Sequence, residues 1–204
     1  MSVDQNRKPA SARERLLDAA NELFYEEGVH TVGVDRVVER AGVAKATLYT
    51  LFGNKDGLVR AYLTARDEAI RERITRELVA RYKTPRERLL GVFDVQGLMF
   101  KDPRFHGCAF ARASAEAPQG SSVEEVAEGH RGWLRSLFHE LAKEAGARNP
   151  EELARQLMLL YDGAAISAWM DHNPSAATAA RSVAHALVDA AISKTQPTAK
   201  GPHR

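Results

Sequence analysis

Apolar residues recur at helical spacing along almost the whole chain, and the two-residue alternation of a half-buried strand is hard to find. That pattern predicts an all-α fold of about nine helices. The first spans about residues 11–27, with Leu16, Leu17, Ala20, Leu23 and Phe24 on one face and Gly28 as its stop. A short helix carries Val34, Val37, Val38 and Ala41 and ends at Gly42; another runs over 46–52 and stops at Gly53. Asn54 can cap a long helix reaching about Lys83, roughly 40 Å at about 1.5 Å per residue.

Later starts carry explicit signals. Thr84-Pro85-Arg86-Glu87 reads as a capping box with proline in the first helical position, and Asn149-Pro150-Glu151-Glu152 as a second. Between them, one helix closes at Asp102-Pro103 and another covers about 108–117, cut by Pro118. A third opens at Ser121 or Ser122 and ends at Gly146. Asn173-Pro174 separates the last two helices, and the tails, Met1 to Ala10 and Thr195 to Arg204, are expected to be mobile.

Composition narrows the function classes. With 204 residues, 44% of them hydrophobic and 27% charged, the chain can bury a core as one domain or two small ones. Apolar runs such as 157–161 fall far short of the roughly 18 residues a bilayer span needs, so no membrane partner is expected. A polar N-terminus argues against secretion, and a single cysteine, Cys108, excludes an internal disulfide or a Cys-rich zinc site, so a cytoplasmic location is expected. Residues 1–66 hold ten Lys+Arg against nine Asp+Glu. No broad basic asymmetry points to nucleic acid, so local arrangement must carry any such claim.

Residues 33–52 supply it. Two short helices meet at Gly42, which can take the left-handed backbone of a sharp turn. Ala41 is small where the helices approach, Val43 can plug the corner, and Leu48 and Phe52 face the core. Lys45, Ala46, Thr47, Tyr49 and Thr50 remain on the outer face, a set suited to base edges and phosphates in a major groove. Helix, glycine and helix alone fit an ordinary three-helix unit equally well. The wider string Ala-Gly-Val-Ala-Lys-Ala-Thr-Leu-Tyr-Thr-Leu-Phe-Gly-Asn-Lys-Asp-Gly-Leu, within residues 28–58, closely resembles the DNA-binding domain of the TetR family of bacterial transcriptional regulators.

The resemblance implies a helix-turn-helix DNA-binding domain over 1–66 and a helical effector-binding and dimerisation domain over 67–204. It implies phosphate contacts from Thr31, Tyr49 and Lys55, and groove contacts from Lys45, Ala46 and Thr47. Arg7, Lys8, Arg13 and Arg15 could add phosphate contacts, or belong to a solvated tail. The chain departs from the family pattern at Gly33 and Ala44, where hydroxyl residues commonly cap, and at Leu51, which replaces a frequent histidine.

The implied partners are double-stranded DNA with a palindromic operator, a second copy of the chain through the last two helices, and an unidentified small-molecule effector. Small residues support the dimer on their own chemistry: Gly163, Ala164, Ala165, Ser167 and Ala168 in one helix, and Ala176, Ala177, Ala180, Ala184, Ala190 and Ala191 in the other. Candidate effector contacts are Phe93, Gln96, Phe100, Phe110, His130, Trp133, Tyr161 and Trp169, an apolar set with a few polar groups; each also fits an ordinary core position. His130 belongs to the stripe Val123, Val126, Ala127, Trp133, Leu134, Leu137 and Leu141. No catalytic residue, metal site or cofactor is expected: His106 and Cys108 are too few for zinc. The expected function is a repressor released from its operator by an effector. The alternatives are a small all-α enzyme or a thiol sensor with an incidental helix-turn-helix.

Overall fold

In a computed structural model, residues 10–118 and 120–193 are described; Arg7, Lys8 and most of both expected mobile tails lie outside them. Nine helices and no strand occur among the described residues: α1 (Ala12–Glu27), α2 (Val34–Ala41), α3 (Lys45–Phe52), α4 (Lys55–Arg81), α5 (Pro85–Phe100), α6 (Ala109–Glu116), α7 (Ser122–Glu144), α8 (Pro150–Met170) and α9 (Ala176–Ile192). They form two compact units. One runs through Arg76 and then takes in Asp102–Trp133; the other holds Glu77–Lys101 and the chain from Leu134 on.

In the first unit, Ser11 opens α1 with a complete capping box on Glu14. Leu16, Ala20 and Phe24 of α1 join Val37, Leu48, Leu58 and Leu63 in one apolar cluster. Phe24 meets Tyr62 edge-on at 5.7 Å; burial pushes the Tyr62 hydroxyl up to about 12. The end of α1 is clipped to α6 and the loop before it. Tyr25 Oη donates to the Gly107 carbonyl and accepts from the His106 amide, both at 3.0 Å. Arg112 donates to the Tyr25 carbonyl at 2.7 Å, and Glu116 accepts from the His30 amide at 2.9 Å. No local pattern announces this clip, because its partners lie more than eighty residues apart.

In the second unit, α9 packs along α5 and α8. Gly97 allows the close approach of α5 to Ala177 of α9. Phe93, Phe138 and Tyr161 form a mutual aromatic group with ring centroids 5.9 to 6.3 Å apart. Phe138 is fully buried, although the expected stripe of α7 had Leu137 in its place. The Thr84–Glu87 capping box is complete. The box at α8 is only half formed: Asn149 accepts from the Glu152 amide at 3.1 Å, but the Glu152 carboxylate turns to Arg155 and Gln156. Both of these side chains lie within one helical turn of Glu152 and compete for its oxygens. α4 ends two residues before the expected Lys83.

Candidate nucleic-acid interface

The turn between α2 and α3 rests on Gly42, whose φ of 63° and ψ of 43° lie in the left-handed region. Its amide and that of Val43 donate to the Val38 carbonyl and its neighbour, closing the end of α2. Ala44 then takes the extended backbone of an N-cap, with φ −70° and ψ 145°, but offers no side-chain acceptor. Gly33 likewise opens α2 without a side-chain cap. The two departures noted in the sequence therefore leave amide donors at both helix starts without a side-chain partner.

α3 is anchored by Leu48, which is fully buried, with Phe52 partly buried against the same cluster. Its opposite face carries Lys45, Ala46, Tyr49 and Thr50, all exposed, with Tyr49 at 45%; Thr47 is only half-buried at the edge. Thr50 donates its hydroxyl to the Ala46 carbonyl at 3.0 Å, which turns the side chain back along the helix and leaves its oxygen as an acceptor. Leu51 is exposed at 41%. Thr31 is exposed before α2. Lys55 is half-buried in the first turn of α4, where Asn54 accepts from the Gly57 amide at 2.8 Å. Arg13 and Arg15 are exposed on α1, with the Arg13 guanidinium 5.7 Å from the Phe52 ring.

One partner escaped the sequence reading. Lys45 Nζ lies 2.7 Å from Oδ1 of Asp35, ten residues earlier on α2. The bond to this carboxylate raises the Lys45 pKa above the usual lysine range. The spacing of ten residues across a glycine turn has no periodic signature, so only the folded geometry reveals the pair.

The eight candidate effector contacts divide between the two units. Phe93, Gln96, Phe100 and Tyr161 are buried in the second, where Gln96 donates through Nε2 to the Tyr161 carbonyl at 2.8 Å. Gln96 Oε1 is buried with no hydrogen-bond partner. Trp169, also in that unit, is 40% exposed. Phe110 and His130 are buried in the first unit, stacked at 3.9 Å, and half-buried Trp133 lies 5.2 Å from the Arg71 guanidinium. Asp67 and Arg71, which surround His130, were not singled out in the sequence. Their spacing of four residues on α4 is the signal that could have found them.

Cys108 is half-buried at the N-cap of α6, and His106 sits edge-on to Tyr25 at 5.8 Å. Among the described residues no group of three or more His, Cys, Asp or Glu could hold a metal, and no helix is long and apolar enough to cross a membrane.

Residues 16–62 match the family model described as bacterial regulatory proteins of the tetR family. A solved TetR-family transcriptional regulator from Streptomyces coelicolor superposes with a TM-score of 0.84 at 31% identity, covering 89% of this chain and 96% of that one. A second solved structure, named as a TetR-type transcriptional regulator from Streptomyces avermitilis, gives a TM-score of 0.79 at 34% identity over 89% of this chain and 98% of that one. The transcriptional activator FasR of Mycolicibacterium smegmatis is 44% identical over 59 residues, a match spanning 28% of this chain and 27% of that protein.

Proposed function

The chain belongs to the TetR family of bacterial regulatory proteins, and on that premise we propose how it reads DNA and how it is switched. It is a DNA-binding transcriptional regulator rather than an enzyme. Residues 1–66 form the reading domain. α3 enters the major groove, with Lys45, Ala46, Thr47 and Thr50 toward base edges and Tyr49, Thr31 and Lys55 toward phosphates. The observation that carries this is the division of α3 itself: Leu48 is fully buried while Tyr49 beside it is 45% exposed. A helix fixed so firmly on one side presents the other as a rigid surface. Lys55 lies in the first turn of α4, where the helix dipole adds to its attraction for phosphate.

Residues 67–204 serve dimerisation and effector binding. Leu159, Gly163, Ile166 and Met170 form an exposed stripe on α8, and Ala179, Val183, Ala186 and Ala190 form one on α9. Each stripe repeats at the spacing of a single helical face, while the opposite faces are buried in the second unit. Apolar stripes of this length call for a partner, and an isologous pair of α8 and α9 helices supplies one. Two reading helices then engage two half-sites of a palindromic operator, about 34–36 Å apart.

The reading as a repressor released by a small molecule in the cytoplasm follows the family's usual behaviour. The buried, unpartnered Oε1 of Gln96 beside the Phe93–Tyr161 aromatic group supports an effector contact there. α4 continues unbroken from Lys55 to Arg81 and links the reading segment to the rest of the chain. A titration tests the switch. A compound that raises the melting temperature of the protein should weaken its hold on labelled operator, and operator should weaken the compound's binding by the same factor. Stabilising compounds that leave operator affinity unchanged would contradict release by an effector.

A further inference from the structure

Segment 34–52 contains three cations, Arg36, Arg40 and Lys45, and all three are ion-paired within the first unit. Arg36 meets Glu27 and Arg40 meets Glu22, each at 2.6 Å, and both pairs tie α2 to α1. The third pair differs in place and partner. Lys45 and Asp35, 2.7 Å apart, join the first turn of α3 to the first turn of α2. Both side chains are open to solvent, Asp35 at 77%. An exposed pair of this kind adds little to stability, and its position beside the outer face of α3 gives it another use.

We propose that Asp35 is a specificity-determining residue, whose carboxylate competes with DNA phosphates for the Lys45 ammonium and so weakens binding to random sequence more than binding to the operator. The inference rests on the reading of Lys45 as a groove contact. Non-specific affinity comes from lysines and arginines that replace counterions on phosphates. A lysine already paired must give up one carboxylate to gain one phosphate, and it leaves that carboxylate facing a polyanion. At a matching site the pair need not separate. Lys45 can donate to guanine O6 or N7 while Asp35 accepts from a cytosine N4 amino group. The acid therefore acts by penalising the competitor, which raises the ratio of affinities without raising affinity itself.

The test uses the full-length protein, a duplex carrying a site selected from a random pool, and a scrambled duplex of equal length. Asp35→Asn should tighten binding to the scrambled duplex about three- to fivefold, the scale of one exposed ion pair, and leave the selected site unchanged or weaker. Its salt slope on the scrambled duplex should steepen by roughly one. Asp35→Glu, which keeps the charge, should keep the ratio, and its melting temperature checks that position 35 tolerates change. In a Lys45→Ala background, Asp35→Asn should tighten binding to the scrambled duplex far less. An equal effect of Asp35→Asn on both duplexes, or an undiminished effect without Lys45, would overturn the proposal while sparing the groove contact. If Lys45→Ala itself changes neither affinity, the groove-contact reading falls, and the proposal with it.

Discussion

His130 Nδ1 lies 2.7 Å from Oδ1 of Asp67, with the Phe110 ring stacked flat against the imidazole at 3.9 Å. A carboxylate can only accept, so Nδ1 carries the proton and donates to it. Asp67 also receives Arg71 at 2.7 Å, and Arg71 donates to the Gly129 carbonyl at 3.1 Å, next to His130. Helices α4, α6 and α7 thus meet at one buried histidine.

Burial lowers the His130 pKa below the usual histidine value, Asp67 opposes that shift, and Arg71 and Arg131 add to it. The unfolded chain therefore takes up this proton at higher pH than the folded one does. Stability contributed by the neutral ring is present above the unfolded pKa, about 6.5, and is lost as pH falls through that value and on through the folded one. Urea midpoints should decline from pH 7 to pH 5, a window above the lowered carboxylates Glu87 and Asp189. His130→Gln should flatten that decline. An equal decline in the variant would place its origin elsewhere.

Ala44 has the backbone of an N-cap and no oxygen to use it. Ala44→Ser should accept from the Thr47 or Ala46 amide and stabilise the protein by about 1 kcal/mol, read as a higher denaturant midpoint at constant slope. A neutral or destabilising result would show that the cap geometry is not available to a side chain.

Gly57 stands where the start of α4 crosses the end of α3. A Cβ there would run into the Phe52 carbonyl oxygen, a backbone atom that cannot swing aside. Gly57→Ala should shift the end of α3, cost on the order of 1–3 kcal/mol, and weaken DNA binding beyond what the lost stability explains. A variant with native stability and native DNA affinity would contradict the close approach.

Much of the fold was legible because helices announce themselves locally. Ser11, Thr84, Gly42 and Gly53 mark helix ends by residue type alone. The outer face of α3 was legible for the same reason, since burial of Leu48 dictates what points the other way. What escaped is what depends on distant partners. Asp35 reaches Lys45 across a turn, and Tyr25 meets His106 and Gly107 across more than eighty residues. The second box at Asn149 failed because Arg155 and Gln156, one turn on, hold the Glu152 carboxylate. A spacing rule reads a capping acid without seeing its rivals.

Ile166 on α8 is 54% exposed and Val183 on α9 is 49% exposed. If these stripes join two copies, Ile166→Glu with Val183→Glu should yield a folded monomer by sedimentation, with operator affinity reduced at least tenfold through loss of the second half-site. A double variant that stays dimeric would move the interface off these faces.

If α3 reads DNA as one of a symmetric pair, the two copies must select a two-fold symmetric site. Bound duplexes would be selected from a random pool with the native protein and with Lys45→Ala/Tyr49→Ala. The native protein should recover an inverted repeat whose half-site centres are about 10–10.5 base pairs, or a multiple of that, apart, and a variant that remains folded should lose it. Recovery of the same site by the variant, or of no site by a folded native dimer at low salt, would contradict this reading of α3.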